Sequence, residues 1–218
     1  TNATGSTTLT GVNSYSGGTV VNGGSLYVSG NGTLGSTSGT TTINDSTLDL
    51  GTTTQTQALV SLSNAIATNG TFNNTAILGK GGTNTTATAL IGTSSVSNAV
   101  GTNTLTSTGN SYTGGNTITG GTLQVATTSS LGATTNNLSI SGNGTLDLLT
   151  GTQTQGSVTV TNGNIINGTL TNSGITFTGG SNNITAALAG TGGLTNASGS
   201  TTLTGTNTYS GGTVVNGG

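Results

Sequence analysis

Four side chains in the 218-residue chain carry a formal charge: Asp45, Asp49, Asp147 and Lys80. With no His and no Cys, the three carboxylates are the groups that would have to do acid–base work or hold a cation. A glycosidase holds its two carboxyl groups about 5 to 9.5 Å apart. Asp45 and Asp49 share a face only on a continuous strand, where four residues of extended chain place them roughly 13 Å apart, too far for one ion or one glycosidic bond. Asp49 and Asp147 share a register, which invites a repeated cation or sugar site. Each, however, sits in a Leu-Asp-Leu triplet, whose pleat turns both leucines inward and the acid toward solvent. The calcium-binding pattern Gly-Gly-x-Gly-x-Asp does not occur. Lys80 has Thr178 as its counterpart in the repeat, so it reads as a solvated side chain. These residues predict no catalytic, cofactor-binding or metal site, and no cofactor.

Tyr15, Tyr112 and Tyr209 remain. They recur once per repeat, and a ring at fixed spacing suits stacking against a sugar or a partner chain, so they are the candidate surface contacts. The competing and preferred reading is that each covers a corner of the fold. Asn-x-Ser/Thr triplets at Asn31, Asn69, Asn143 and Asn167 follow from the composition.

The elements that would position these residues follow from composition and repetition. Charged residues are 2% of the chain and the net charge is −2. Binding to nucleic acid through Lys and Arg, or to an anionic membrane surface, therefore lacks its residues. Disordered chains stay soluble through high net charge and lack β-branched residues, whereas this chain is crowded with Thr, Val and Ile, which favour strands. Gly numbers 41 and Pro 0, without the Gly-x-y period of collagen. No run of about 20 apolar residues is present to span a bilayer. With no initiating Met and no apolar leader, the chain reads as an interior piece of something longer.

Self-comparison gives the main signal. Residues 6–24 (STTLTGVNSYSGGTVVNGG) recur almost letter for letter at 200–218, with a weaker copy at 103–121, and the three tyrosines stand 97 residues apart. Leu48-Asp49-Leu50 matches Leu146-Asp147-Leu148 at a spacing of 98. The expected organisation is one continuous segment, 1–218, made of units 6–102 and 103–199 and a partial third unit, 200–218. Within a unit, triplets such as Leu26-Tyr27-Val28, Leu138-Ser139-Ile140 and Val158-Thr159-Val160 alternate apolar and polar, with Gly, Asn, Ser and Thr between them. Strands this short cannot carry a core in a flat sheet, but stacked as coils they bury one apolar column. The prediction is an all-β, parallel β-helix, or β-solenoid. At roughly 20 to 24 residues per coil it has about nine to eleven coils and is on the order of 45 to 55 Å long.

The pattern Leu-Thr-Gly-x-Asn-x-Tyr-Ser-Gly-Gly-Thr-Val-Val-Asn-Gly-Gly-x-Leu-x-Val at residues 9–28 resembles the autotransporter-associated β-strand repeat. Residues 203–218 match it as far as they run. Residues 105–125 match less closely, with Thr106-Ser107 in place of Thr-Gly and one extra residue. The resemblance implies a right-handed β-helical passenger region of a large secreted or surface protein of a Gram-negative bacterium, with no catalytic residues to carry over. The expected role is a structural, extracellular fibre, stalk or adhesin segment that is not an enzyme. Self-association end to end or side by side is open to so uncharged a rod. The alternative is a binding module whose Thr- and Asn-rich faces contact a glycan, a surface or ice.

Overall fold

In each unit, apolar residues at alternate positions make strands with one inward face, and Gly and Asn stop those strands after a few residues. A three-residue strand buries its inward side chains only by stacking on the next coil. In the computed structural model, which describes residues 1–73, 76–128 and 130–218, that stacking is continuous. The described residues contain 24 strands and no helix, and the strand pairings among them are parallel.

Three columns of strands run along the rod. The first comprises Thr19–Val21, Thr40–Asn44, Leu59–Ser63, Ala76–Gly81, Ser95–Asn98, Asn116–Ile118 and Leu138–Ser141. It continues through residues 157–160, 174–178 and 194–198 of longer strands to Thr213–Val215. The second column begins with Ser6–Leu9, Ser25–Val28, Thr47–Asp49 and Ile66–Thr68. Thr83–Thr86, Thr102–Leu105, Thr122–Val125, Thr145–Asp147 and Asn164–Ile166 follow, and residues 181–184 and 200–203 close it. A third, narrower face is built from Thr54–Gln55, Thr71–Phe72 and Ala89–Leu90, and again from residues 152–155 and 169–172 with Ala187–Ala189.

The result is a parallel β-solenoid of about eleven coils, rising about 4.8 Å per coil. Along the first column the register passes Val21, Ile43, Leu62, Gly79, Asn98 and Ile118, so five coils use 97 residues. Single coils take 17 to 23 residues, several of them below the 20 to 24 expected. The shortfall arises because the third face is narrow and the corners are tight.

The core is two inward ranks per long face. On the first face one rank runs Val21, Ile43, Leu62, then Ile118, Ile140, Val160 and Phe177, all at 0–1% exposure. Each such side chain contributes about 1.5–3 kcal/mol relative to full exposure. Between them sit Gly79 and Asn98, and a Cβ on Gly79 would lie 2.6 Å from Asn98 Oδ1. The glycine makes room for an inward amide.

The turn from the first face to the second uses a left-handed residue throughout, a Gly directly before the second-face strand or an Asp or Asn two residues before it. Every coil places there a residue with positive φ: Gly5, Gly24, Asp45, Asn64, Gly82, Gly101, Gly121, Asn143, Asn162, Gly180 and Gly199. Gly, Asn and Asp are the residues that tolerate this region. Leu149 breaks that rule at a different turn, with φ 51, where its counterpart 98 residues earlier is Gly51, φ 54.

Two opposite stability changes follow. Gly101 has φ 75, and an added Cβ would lie 2.3 Å from the carbonyl oxygen of Gly82. Gly101→Val is therefore expected to destabilise by about 1–3 kcal/mol or more, read as a lower urea midpoint. Leu149→Gly, which removes a left-handed leucine, is expected to raise the midpoint by the equivalent of about 0.5–1 kcal/mol.

Candidate functional site

The three tyrosines occupy one position in the coil and make one kind of bond. Tyr15 shares a hydrogen bond with Thr19 Oγ1 at 2.7 Å, Tyr112 donates to Asn116 Oδ1 at 2.6 Å, and Tyr209 shares one with Thr213 Oγ1 at 2.8 Å. Their exposure differs. Tyr112, with a coil on each side, is fully buried, Tyr15 is 39% exposed, and Tyr209 packs partly buried against the core. A ring at 0% exposure offers no stacking face, so among the three only Tyr15 and Tyr209 present ring surface.

Tyr112 belongs to a buried polar cluster. Asn116 Nδ2 donates to the carbonyl oxygen of Leu131 at 3.0 Å and to Gln155 Oε1 at 3.1 Å, and Asn136 Nδ2 donates to the carbonyl oxygen of Tyr112 at 2.9 Å. Gln153 Oε1 accepts the Leu131 backbone N–H at 2.9 Å. The first unit repeats the scheme: Thr19 Oγ1 donates to the carbonyl oxygen of Leu34, and Gln55 Oε1 accepts the Leu34 N–H. These inward glutamines were not singled out from the sequence. Thr54-Gln55-Thr56-Gln57 and its copy Thr152-Gln153-Thr154-Gln155, 98 residues on, alternate two polar residue types and so carry no apolar pattern that marks the inward side. Burial raises the Tyr112 hydroxyl pKa, outweighing the opposing effect of its bond to Asn116.

The carboxylates are clasped by hydrogen bonds from backbone N–H groups and neighbouring amides. Asp49 Oδ1 accepts the Gly51 N–H at 2.8 Å and the Asn69 amide at 2.9 Å. Asp147 Oδ1 accepts the Leu149 N–H at 2.9 Å and the Asn167 amide at 2.8 Å, while its Oδ2 accepts Gln124 Nε2 at 3.1 Å. Asp45 Oδ1 accepts the Asn64 amide at 2.8 Å. The solvent-facing position expected for the Leu-Asp-Leu acids thus needs correction for Asp147. Amides from the adjacent coils cover it, and it is 8% exposed. Burial works against its charge, but the bonds from Asn167, Leu149 and Gln124 prevail and hold its carboxyl below the usual carboxylate range.

Among the described residues no three His, Cys, Asp or Glu side chains converge. Lys80 is exposed, as are Asn31, Asn69, Asn143 and Asn167. What these surfaces and clusters do chemically is donate and accept hydrogen bonds.

Comparison with known families adds one finding. Residues 4–28, 100–125 and 198–218 match the model of the passenger-associated-transport-repeat. These segments contain Tyr15, Tyr112 and Tyr209 and the Gly5, Gly24, Gly101, Gly121 and Gly199 corners. No curated protein and no solved structure matches the chain.

The buried groups set a pH profile. Unfolded Tyr ionises near 10, while the folded Tyr112 resists ionisation, so stability is intact below about pH 10 and falls as pH rises above it. Tyr112→Phe is expected to cost about 1–3 kcal/mol at pH 7, because Asn116 Oδ1 loses its donor, and to blunt the alkaline loss. Asp147, held below its unfolded pKa of about 3.9, stabilises above that value and ceases to as pH falls through its folded pKa. Urea midpoints across pH should therefore drop in acid for the parent chain and less for Asp147→Asn.

Proposed function

Because the chain carries three passenger-associated-transport-repeats, we propose that it is a structural β-solenoid segment of a secreted or surface-displayed passenger region. In this reading it acts as a stalk or fibre and performs no catalysis. The observation that carries it is the recurrence of a left-handed corner residue in every coil, with the three carboxylates tied into that framework rather than gathered into a cleft. The role suits the physics of the fold. Each coil contacts its neighbours only, so stability accumulates coil by coil and length is extended by repetition. Every strand register joins residues about 20 apart, so a chain emerging through a membrane can fold each coil onto the preceding one without waiting for distant sequence. A chain with only four charged side chains, Asp147 among them buried, leaves such a rod few electrostatic attractions to nucleic acid or lipid.

On intact cells producing the full-length polypeptide, antibody raised against this segment should label the surface without permeabilisation. Labelling that appears only after the outer envelope is breached would exclude the passenger reading.

A further inference from the structure

A groove of about 510 Å³ runs where the third face turns into the first in the second unit, and Thr135, Ser157, Asn172 and Thr191 are among its lining. A second depression, of about 330 Å³, shares Asn137 and Ser157 with it and carries it on to Thr117. Together they cross five successive coils, a span of about 20 Å along the rod.

No residue in either lining bears a charge. The lining is rich in hydroxyls and amides, groups that both donate and accept. A charged ligand finds no counter-charge here. An apolar one would strip water from these groups and give nothing back. Asn172 closes the floor of the groove: it is 4% exposed and lies in the inward rank with Gln155.

The two units differ in their outward residues at this place. Inward Val60 and Ile77 of the first unit are matched by Val158 and Ile175 of the second. At the neighbouring outward positions Ala58, Leu59, Ala76, Leu78 and Lys80 are replaced, 98 residues on, by Gly156, Ser157, Gly174, Thr176 and Thr178. Of these, Gly156 and Ser157 line the groove, so a hydroxyl stands there where the first unit has the Leu59 side chain.

We propose that this groove binds an uncharged oligosaccharide laid along the rod axis across successive coils. The test uses variants that restore first-unit residues, which the fold already accommodates: Ser157→Leu, and Gly174→Ala, where an added Cβ meets nothing within 4 Å. Cellohexaose, maltohexaose and mannohexaose are titrated separately into the intact chain, followed by calorimetry and amide shifts. At least one should bind, with an affinity insensitive to salt up to about 0.5 M because no charges take part. The Ser157→Leu/Gly174→Ala double variant should lose about tenfold or more while keeping the parent's circular dichroism. Thr191→Ala, which removes an exposed lining hydroxyl, should weaken binding without touching the coil. Failure of all three sugars to bind, or binding unchanged in the double variant and in Thr191→Ala, overturns the proposal.

Discussion

The architecture depends on a left-handed residue at the corner between the two long faces. There the chain must reverse its course within two or three residues and still deliver its next N–H to the coil beneath. Ser25, Thr102 and Thr122 donate to the carbonyl oxygens of Gly5, Gly82 and Gly101, each at 2.8 Å. The approach is close enough that most of these corners admit no Cβ. Where a side chain does appear, it comes in pairs on consecutive coils, Asp45 with Asn64 and Asn143 with Asn162, and the second member's amide bonds to the first at 2.8 and 2.9 Å. A Gly column and an amide column are two solutions to one requirement. Both fix the register of every strand that follows, and a register shift would turn the inward ranks outward.

Parallel stacking also governs which polar groups the rod tolerates. Residues at one position recur about 4.8 Å apart along the axis, where like charges repel and amides, carrying both donor and acceptor, attract. Each aspartate is accordingly met by an asparagine from the next coil: Asp45 by Asn64, Asp49 by Asn69, Asp147 by Asn167. Inside the coil the same chemistry closes the corners. Asn98 and Asn196 send their amides to the carbonyl oxygens of Gly120 and Gly217. These inward amides occupy core positions, and the neighbouring rank adapts: Gly79 lies beside Asn98 in one unit, where Phe177 lies beside Asn196 in the next.

Much of this was legible in the sequence, for physical reasons. Tandem units and apolar alternation are properties of the chain itself, so Leu26, Val28, Leu48, Leu146, Val158 and Val160 could be placed in the core, and they are buried. Coil length was less legible. It depends on how tightly the third face closes, and residues such as Thr54–Gln55 carry no apolar pattern to mark that face. The inward glutamines were hidden for the same reason: in Thr-Gln-Thr-Gln both residue types are polar, and only the structure shows that Gln55, Gln57, Gln153 and Gln155 point in. Tyr112 and Asp147 illustrate the remaining limit. Their burial comes from neighbouring coils roughly 20 residues away, which local pattern cannot report. The groove along the second unit was likewise invisible until the outward columns were aligned through space.

The claim on which the account stands is that each coil lies parallel on the last, with a left-handed corner in every turn. Amide-proton NOEs in the isotope-labelled chain test it most directly. The account predicts cross-coil contacts between residues 17 to 23 apart, advancing in the same direction on both partners, as from Val21 to Ile43 to Leu62 and from Leu123 to Leu146. It further predicts left-handed backbone shifts at Asp45, Asn64, Asn143 and Asn162. Contacts that advance in opposite directions, as in hairpins, or right-handed shifts at those four residues, would contradict it.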